Sequence, residues 1–265
     1  MPDERAGLGV RSEPVYVKQN TMGERLIIGK MDKTIEEEHV ARYEYASQFI
    51  KGKSVIDAAC GSGYGTLLIA DGGANEVIGV DISEEAIAIA RTKYAHPKVK
   101  FRTLDVESLS ELGSEIADTV VSFETIEHVA DDRKFLKGVN HVLRKGGTFI
   151  VSSPERRCGG VKERVTRIPA NPFHRREYTR SEFARLLSEH FVVDEILGQN
   201  QIPRILTFLP VTICVKMALR VMAMLGKPRL RDIYLHGTGK ELLPEQMCRN
   251  GMPRFWVIRC HKGGA

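Results

Sequence analysis

Three glycines at alternate positions, Gly61, Gly63 and Gly65, follow a short apolar run that contains Asp57, and Asp81 lies twenty residues beyond the first of them. Glycine has no Cβ, so such a loop lets the backbone approach a ligand closely. The loop lacks the lysine of a P-loop, and its GxGxG spacing differs from the GxGxxG of dinucleotide-binding loops. A nearby carboxylate would repel a pyrophosphate but would accept hydrogen bonds from hydroxyl or ammonium groups. The pattern therefore favours a ligand that carries hydroxyls and an amino group but no phosphate.

Two of the eight histidines stand where a reaction could use them, His128 in ETIEHV and His174 in NPFHRREYT. Imidazole titrates near neutral pH and is the usual base for taking a proton from a hydroxyl. The alternative for each is a structural role, in which the side chain caps a loop or binds a carbonyl. Glu124 and Glu127, which precede His128, are expected to support the site rather than to act as bases.

Alternating strand and helix patterns position these residues. The sequence predicts seven strands, over 54–60, 76–82, 99–106, 116–125, 148–154, 191–199 and 254–260. Strands that alternate with helices indicate an α/β fold with a doubly wound, mostly parallel, seven-stranded sheet. Ligands of such sheets bind beyond the carboxyl ends of the strands. Asp57, Asp81, Asp105 and His128 all follow or end a predicted strand, and we expect them at that edge.

The helices begin at recognisable caps. Thr34 with Glu37 and Thr179 with Glu182 have the spacing of capping boxes, and the first predicts a helix over about 35–51. We interpret residues 1–265 as a single domain. It comprises a mobile arm or lid over 1–33, a ligand-binding core over 34–154, and acceptor-side insertions over 155–178 and 200–250, the second of which precedes the last strand.

Four motifs, in order and at familiar spacings, carry a resemblance to the class I S-adenosylmethionine-dependent methyltransferases, a Rossmann-like fold. These motifs are DAACGSGYG (57–65), VIGVDIS (77–83), LDVES (104–108) and VSFETIEHV (121–129). The resemblance is close over 54–154 and looser elsewhere. One departure is Ala59, where the motif more often has glycine, and a small residue should serve there.

The resemblance implies that the cofactor is S-adenosylmethionine, which becomes S-adenosylhomocysteine. It also implies these contacts: Asp57, Ala59, Gly61 and Gly63 to the methionine part, Arg25 or Tyr43 to its carboxylate, Asp81 and Ile82 to the ribose, Asp105 and Val106 to the adenine, and Phe123 near the sulfonium. For His39 and Tyr43, the alternative is a packed helix surface. Some sugar methyltransferases use magnesium, but no acidic run here has clear metal geometry, so no metal site is indicated.

The segments GERLIIG (23–29), EHVARYEYA (38–46), ETIEHV and NPFHRREYT are similar to methyltransferases of bacterial polysaccharide, glycolipid and natural-product pathways. The resemblance therefore implies O-methylation of a sugar hydroxyl by in-line displacement, with His128 or His174 assisting as the base. Two alternatives stay open. One is a phenolic, quinone or polyprenyl acceptor, since ETIEHV also resembles quinone-biosynthesis enzymes. The other is a regulatory protein that binds the cofactor without catalysis.

Composition constrains the partners. The net charge is +5, and residues 155–176 hold seven basic residues against two acidic ones, which favours either an anionic acceptor or a solvated basic loop. No motif of a nucleic-acid methyltransferase follows the fourth strand. Five cysteines without CxxC spacing are typical of a reducing cytoplasm.

The apolar segment 205–225 is long enough to span a bilayer, but Pro210, Lys216 and Arg220 interrupt it. Membrane contact is therefore disfavoured relative to a cap, an amphipathic surface helix or an interface. A homodimer would give this segment a partner surface.

Overall fold

The computed structural model describes residues 33–158, 166–169, 171–203 and 240–264. Arg25, nearly all of the predicted arm over 1–33, and the apolar segment 205–225 lie outside the described residues. The helices are α1 (Lys33–Ser47), α2 (Tyr64–Asp71), α3 (Glu84–Lys93), α4 (Asp132–Val142) and α5 (Arg180–Ser188). The strands are β1 (Ser54–Ala58), β2 (Glu76–Asp81), β3 (Val99–Thr103), β4 (Ala117–Ser122), β5 (Leu143–Pro154), β6 (Val192–Pro203), β7 (Leu242–Pro244) and β8 (Gly251–His261).

These strands form one sheet in the order β3-β2-β1-β4-β5-β8-β6-β7. The first five are parallel, and β8, β6 and β7 add antiparallel neighbours. The strand order reverses between β1 and β4, and this switch places a crevice at their carboxyl ends. The prediction of a doubly wound, mostly parallel sheet is confirmed, but the count of seven strands is wrong. The eighth, β7, is three residues long and too short to show a strand pattern in the sequence.

Apolar residues explain why the sheet is covered on both faces. On one face α4 and α5 pack a core that contains Phe135, Phe149 and Phe183, and on the other α1 and α2 pack a core that contains Ile69. The central strands β1 and β4 contribute side chains to both cores, as buried parallel strands do. The crevice therefore lies at the edge of a fully packed sheet.

Local sequence signals fix some boundaries and mislead at others. Both halves of the capping box of Thr179 and Glu182 are present at the start of α5. The capping box predicted for Thr34 is wrong, because α1 already begins at Lys33. β5 begins at Leu143 rather than at residue 148, because Leu143 pairs with Ala117 of β4.

Ala59 has φ +67°, in the left-handed region that glycine adopts readily. That conformation costs a non-glycine residue about 1–2 kcal/mol, whereas glycine loses about 0.5–1 kcal/mol more backbone entropy on folding. We therefore expect Ala59→Gly to raise the free energy of unfolding by about 0.5 kcal/mol, measured by urea denaturation. Ala58→Gly is the matched control: Ala58 is fully buried in β1, and its replacement should be destabilising. An equal decrease in the free energy of unfolding in both variants would contradict backbone strain at Ala59.

Candidate active site

The glycines between β1 and the first turn of α2 have different surroundings. Gly61 has φ +55°, and a Cβ built on it would meet no atom within 4 Å. Gly63 has φ +91°, and its Cβ would lie 2.7 Å from the Cβ of Ala90. A Cβ on Gly65 would overlap the ring of Tyr43. Gly61 therefore leaves open space for a ligand, whereas close packing requires Gly63 and Gly65.

Asp81 joins this loop to the start of α3. Its Oδ2 accepts from the Gly61 N–H at 3.0 Å and its Oδ1 from the Ser83 N–H at 2.9 Å. The next side chain, Ile82, is 63% exposed although it is large and apolar. Asp81 thus presents a carboxylate, and Ile82 an apolar surface, beside the open space at Gly61.

The predicted adenine contacts follow the neighbouring strand, β3. Asp105 is exposed and caps a short 3₁₀ helix, Val106–Leu112, by accepting from the Glu107 N–H at 2.9 Å. Val106 is buried. β2 and β3 are paired in parallel, with Asp81 opposite Thr103, so both sets of residues lie along one edge of the sheet.

Asp57 lies beneath the glycine loop. It is 1% exposed, and its carboxylate accepts from the Thr66 hydroxyl at 2.6 Å and from the Tyr43 hydroxyl at 3.2 Å. Burial raises the pKa of Asp57 to about 7, although both hydrogen bonds act in the opposite direction. The ring of Tyr43 meets that of Phe123 edge-on, with centroids 5.0 Å apart. The structure therefore brings Tyr43, Asp57 and Phe123 into one packed group.

These residues fit a nucleoside ligand without a phosphate. The space at Gly61 admits a ligand backbone, the Asp81 carboxylate suits ribose hydroxyls, and Ile82 offers an apolar surface to a flat base. The acidic residues at the ends of β1 and β2 suit hydroxyl and ammonium groups rather than phosphates.

The two candidate histidines come together at the same edge. His128 follows β4, and its Nδ1 is 3.0 Å from the carbonyl oxygen of Phe173. His174 Nδ1 is 2.7 Å from a carboxylate oxygen of Glu177. The imidazole centroids are 4.8 Å apart with the rings nearly perpendicular. The loop that carries His174 is held by the Glu127 carbonyl, which accepts from the Arg175 N–H at 2.8 Å.

Asp132 fixes the same loop from the other side. Its carboxylate accepts from the Arg176 guanidinium at 2.6 Å and from the Tyr178 hydroxyl at 2.9 Å. Asp132 also lies in the first turn of α4, which Asp131 caps. Sequence reasoning missed the contact of Asp132 with this loop, and it also missed Glu177, whose position three residues after His174 was the available signal.

Glu127 is fully buried, and neither of its carboxylate oxygens has a hydrogen-bond partner. Burial raises the pKa of Glu127 well above its usual range, and the nearby Glu124 carboxylate raises it further. A carboxylate oxygen of Glu127, a ring nitrogen of His128 and a ring nitrogen of His174 lie within 4.8 Å of one another.

Glu124 is held by Ser152 and Arg42. The Ser152 hydroxyl donates to Glu124 Oε1 at 2.6 Å, and Arg42 Nη1 is 3.3 Å from the same oxygen. Arg42 is fully buried, donates from Nε to Gln199 Oε1 at 2.7 Å, and lies over the ring of Phe255. These contacts are those of a supporting residue, the role expected for Glu124. Sequence reasoning missed Arg42, which α1 buries together with Glu38, Tyr43 and Ala46.

Within the ranges that the structure describes, no helix is both long and apolar enough to cross a membrane. The segment 205–225, on which that question was raised, lies outside those ranges.

Comparison with known proteins finds relatives among the S-adenosylmethionine-dependent methyltransferases. The sequence profile of a family described as a methyltransferase domain matches residues 50–208. A "probable S-adenosylmethionine-dependent methyltransferase" of Mycolicibacterium smegmatis is 37% identical over 178 residues, which cover 66% of each chain. The ubiquinone biosynthesis O-methyltransferase of Sinorhizobium medicae is 37% identical over 121 residues, 45% of this chain and 48% of that protein. The chain therefore matches about half to two thirds of the length of these curated relatives.

Solved structures share the fold at lower identity. An S-adenosylmethionine-dependent methyltransferase from Mesorhizobium loti has a TM-score of 0.57 at 17% identity, covering 85% of this chain and 100% of that one. The N-methyltransferase NodS of Bradyrhizobium japonicum, solved with S-adenosylhomocysteine, has a TM-score of 0.56 at 12% identity and covers 89% of this chain and 90% of that one.

Proposed function

The chain belongs to the S-adenosylmethionine-dependent methyltransferases, and from this premise we propose that it transfers a methyl group to a hydroxyl oxygen of a sugar. The sugar would be part of a glycan, a glycolipid or a glycosylated natural product. The observation that carries the proposal is the pair His128 and His174 at the carboxyl end of β4, beside the segment that holds Phe123.

The hydrogen bonds of His128 and His174 determine which ring nitrogen can accept a proton. The Phe173 carbonyl and the Glu177 carboxylate are acceptors, so each histidine donates through Nδ1. In the neutral ring the basic lone pair then resides on Nε2. His128 and His174 are therefore held in the tautomer that assists removal of a proton from a hydroxyl.

Bound S-adenosylmethionine would supply an electrophilic methyl group, which would pass from sulfur, with the electron pair left on sulfur, to the acceptor oxygen. His128 and His174 would take the hydroxyl proton. Gly61 would admit the cofactor, and Asp81 would accept from its ribose hydroxyls. Ile82 and Val106 would contact the adenine, with Asp105 at its amino group. Asp57, Ala59, Gly63, Tyr43 and Phe123 shape the wall toward the methionine part. Much of the rate would come from holding the reacting groups aligned and dry.

Several buried polar atoms favour a polyhydroxylated acceptor. Arg42 Nη2, the Tyr64 hydroxyl, the Ser153 hydroxyl and Asn200 Oδ1 are all buried without a hydrogen-bond partner. Buried polar groups are normally hydrogen-bonded, and this set mixes donors with acceptors. A ligand with several hydroxyls could satisfy both kinds, whereas a long apolar chain could satisfy neither.

A negatively charged acceptor would need basic residues that are not already neutralised. Arg156, Arg157 and Arg176 form ion pairs with Glu182, Glu155 and Asp132, respectively. These three therefore contribute little to the basic excess of residues 155–176. An anionic sugar remains part of the proposal through Arg167 and Arg175, which form no ion pair within the described ranges.

The second candidate acceptor is a phenol or hydroquinone. Its support is the 37% identity with the ubiquinone biosynthesis O-methyltransferase of Sinorhizobium medicae. The aligned region covers the cofactor-binding half of a methyltransferase, which different acceptor classes share.

An acceptor panel separates the two candidates. The chain is first titrated with S-adenosylmethionine in a calorimeter, then incubated with it and with neutral glycosides, nucleotide sugars, catechols and hydroquinones. We expect cofactor binding, and the gain of one methyl group, detected by mass spectrometry, in a glycoside or nucleotide sugar. Methylation of the phenolic acceptors alone would contradict the sugar assignment. Absence of cofactor binding would overturn the proposed function as a whole.

A further inference from the structure

We propose that Glu127, His128 and His174 form a binding site for one divalent ion of the zinc type. The catalytic role of the ion rests on the proposed function, because the ion would bind the acceptor hydroxyl. The binding site itself follows from geometry, burial and donor chemistry at the carboxyl end of β4.

The three side chains are close enough to share an ion. One ligand atom from each lies within 4.8 Å of the others. Two donors about 2.1 Å from a tetrahedral ion are about 3.4 Å apart. The side chains therefore need to close by about 1.4 Å at most, which is within the reach of side-chain rotations.

The Nδ1 hydrogen bonds of both histidines are typical of metal-binding histidines. His128 donates through Nδ1 to the Phe173 carbonyl, and His174 donates through Nδ1 to the Glu177 carboxylate. Metal-binding histidines typically donate their other ring N–H to a carbonyl or carboxylate, which fixes the ring and raises its basicity. Since Nδ1 of each ring faces an acceptor, Nε2 is the nitrogen through which each ring would ligate the ion.

Glu127 supplies the independent observation that points to a cation. It is fully buried, and neither carboxylate oxygen has a hydrogen-bond partner. Arg42 forms its ion pair with Glu124 at 3.3 Å and its charge also acts on Glu127, while Glu124 adds a second negative charge nearby. A buried carboxylate without a partner is costly unless a cation neutralises it. An ion between Glu127 and the histidines would remove that cost.

The donor set selects the ion. Two imidazoles and one carboxylate are the ligands of catalytic zinc sites, which keep an open position for water or substrate. Magnesium prefers oxygen ligands and binds such a set poorly. An acceptor hydroxyl in the open position would lose its proton more readily, as metal-bound water does. With the ion bound, the imidazoles act as ligands and the proton passes from the ion-bound oxygen to solvent.

The test titrates the metal-free chain with Co²⁺, followed by its visible absorption, and with Zn²⁺ in a calorimeter. We expect one ion per chain and no displacement by excess Mg²⁺. Glu127→Gln and His174→Ala should each weaken Zn²⁺ binding at least about tenfold. His261→Ala is the matched control, because His261 also contacts a carboxylate, that of Asp194, at 2.8 Å but lies on the surface away from the site.

Titration of the same variants with S-adenosylmethionine shows whether they are folded. Zn²⁺ binding that persists in Glu127→Gln and His174→Ala but is lost in His261→Ala would overturn the metal site as adventitious surface binding. A chain that methylates its acceptor but binds neither Zn²⁺ nor Co²⁺ would overturn the metal site and leave the proposed function intact. A chain that binds Zn²⁺ at this site but does not bind S-adenosylmethionine would overturn the proposed function alone.

Discussion

Replacing His174 with alanine is expected to lower the turnover number by about 10²–10⁴-fold, the usual contribution of a positioned proton-transfer group. The variant removes the imidazole that contacts both Glu177 and His128. The dissociation constant of S-adenosylmethionine should change little, because His174 is not among the cofactor contacts we propose. Initial rates at saturating cofactor measure the turnover number, and calorimetry measures the dissociation constant of S-adenosylmethionine.

His128→Ala should lower the turnover number by a similar factor. The double variant should lower it little further than either single variant, because the effects of residues that act as a unit are not additive. His141→Ala is the control, since His141 is exposed on α4. Unchanged turnover in both single variants would contradict any part for the pair in proton removal. Equal losses in His141→Ala would show that the assay reports general instability instead.

The half of the site that the sequence predicted best rests on contiguous motifs. Each motif combines a strand with the loop that follows it, so the position of Asp81 at the end of β2 follows from the pattern alone. Its position beside the glycine loop also follows, because parallel strands end at one edge, but its hydrogen bond from the Gly61 N–H is a finding of the structure. The surroundings of Asp57 could not be predicted, since Thr66 and Tyr43 reach its carboxylate from two different helices.

The histidine cluster illustrates what sequence patterns do not contain. His128 and Phe173 are 45 positions apart, and their contact depends on a loop held by backbone hydrogen bonds to Glu127. No spacing rule relates such residues, so the sequence indicated no metal site. Arg42 was missed because a single charge in a helix with a weakly apolar face gives no signal of burial.

Replacing Asp81 with alanine is expected to weaken S-adenosylmethionine binding by about 10²-fold or more. A carboxylate that accepts from two ribose hydroxyls would lose two hydrogen bonds to a charged group, each worth about 1.5–3 kcal/mol. The variant also removes the acceptor of the Gly61 and Ser83 N–H groups, so the loop and the start of α3 lose their link. Calorimetry with cofactor measures the affinity, and thermal unfolding without cofactor measures the structural part.

Asp81→Asn separates the two contributions. Asparagine keeps one oxygen that can accept from a backbone N–H, but it lacks the charge that strengthens bonds to hydroxyls. If Asp81 binds ribose, the Asp81→Asn variant should recover much of the thermal stability and little of the affinity that Asp81→Ala loses. Asp105→Asn is the control, because Asp105 is exposed and caps a short helix, and its affinity loss should be smaller. If the Asp81→Asn variant recovers both its affinity for S-adenosylmethionine and its thermal stability, then Asp81 only stabilises the loop. The ribose hydroxyls would then bind another residue.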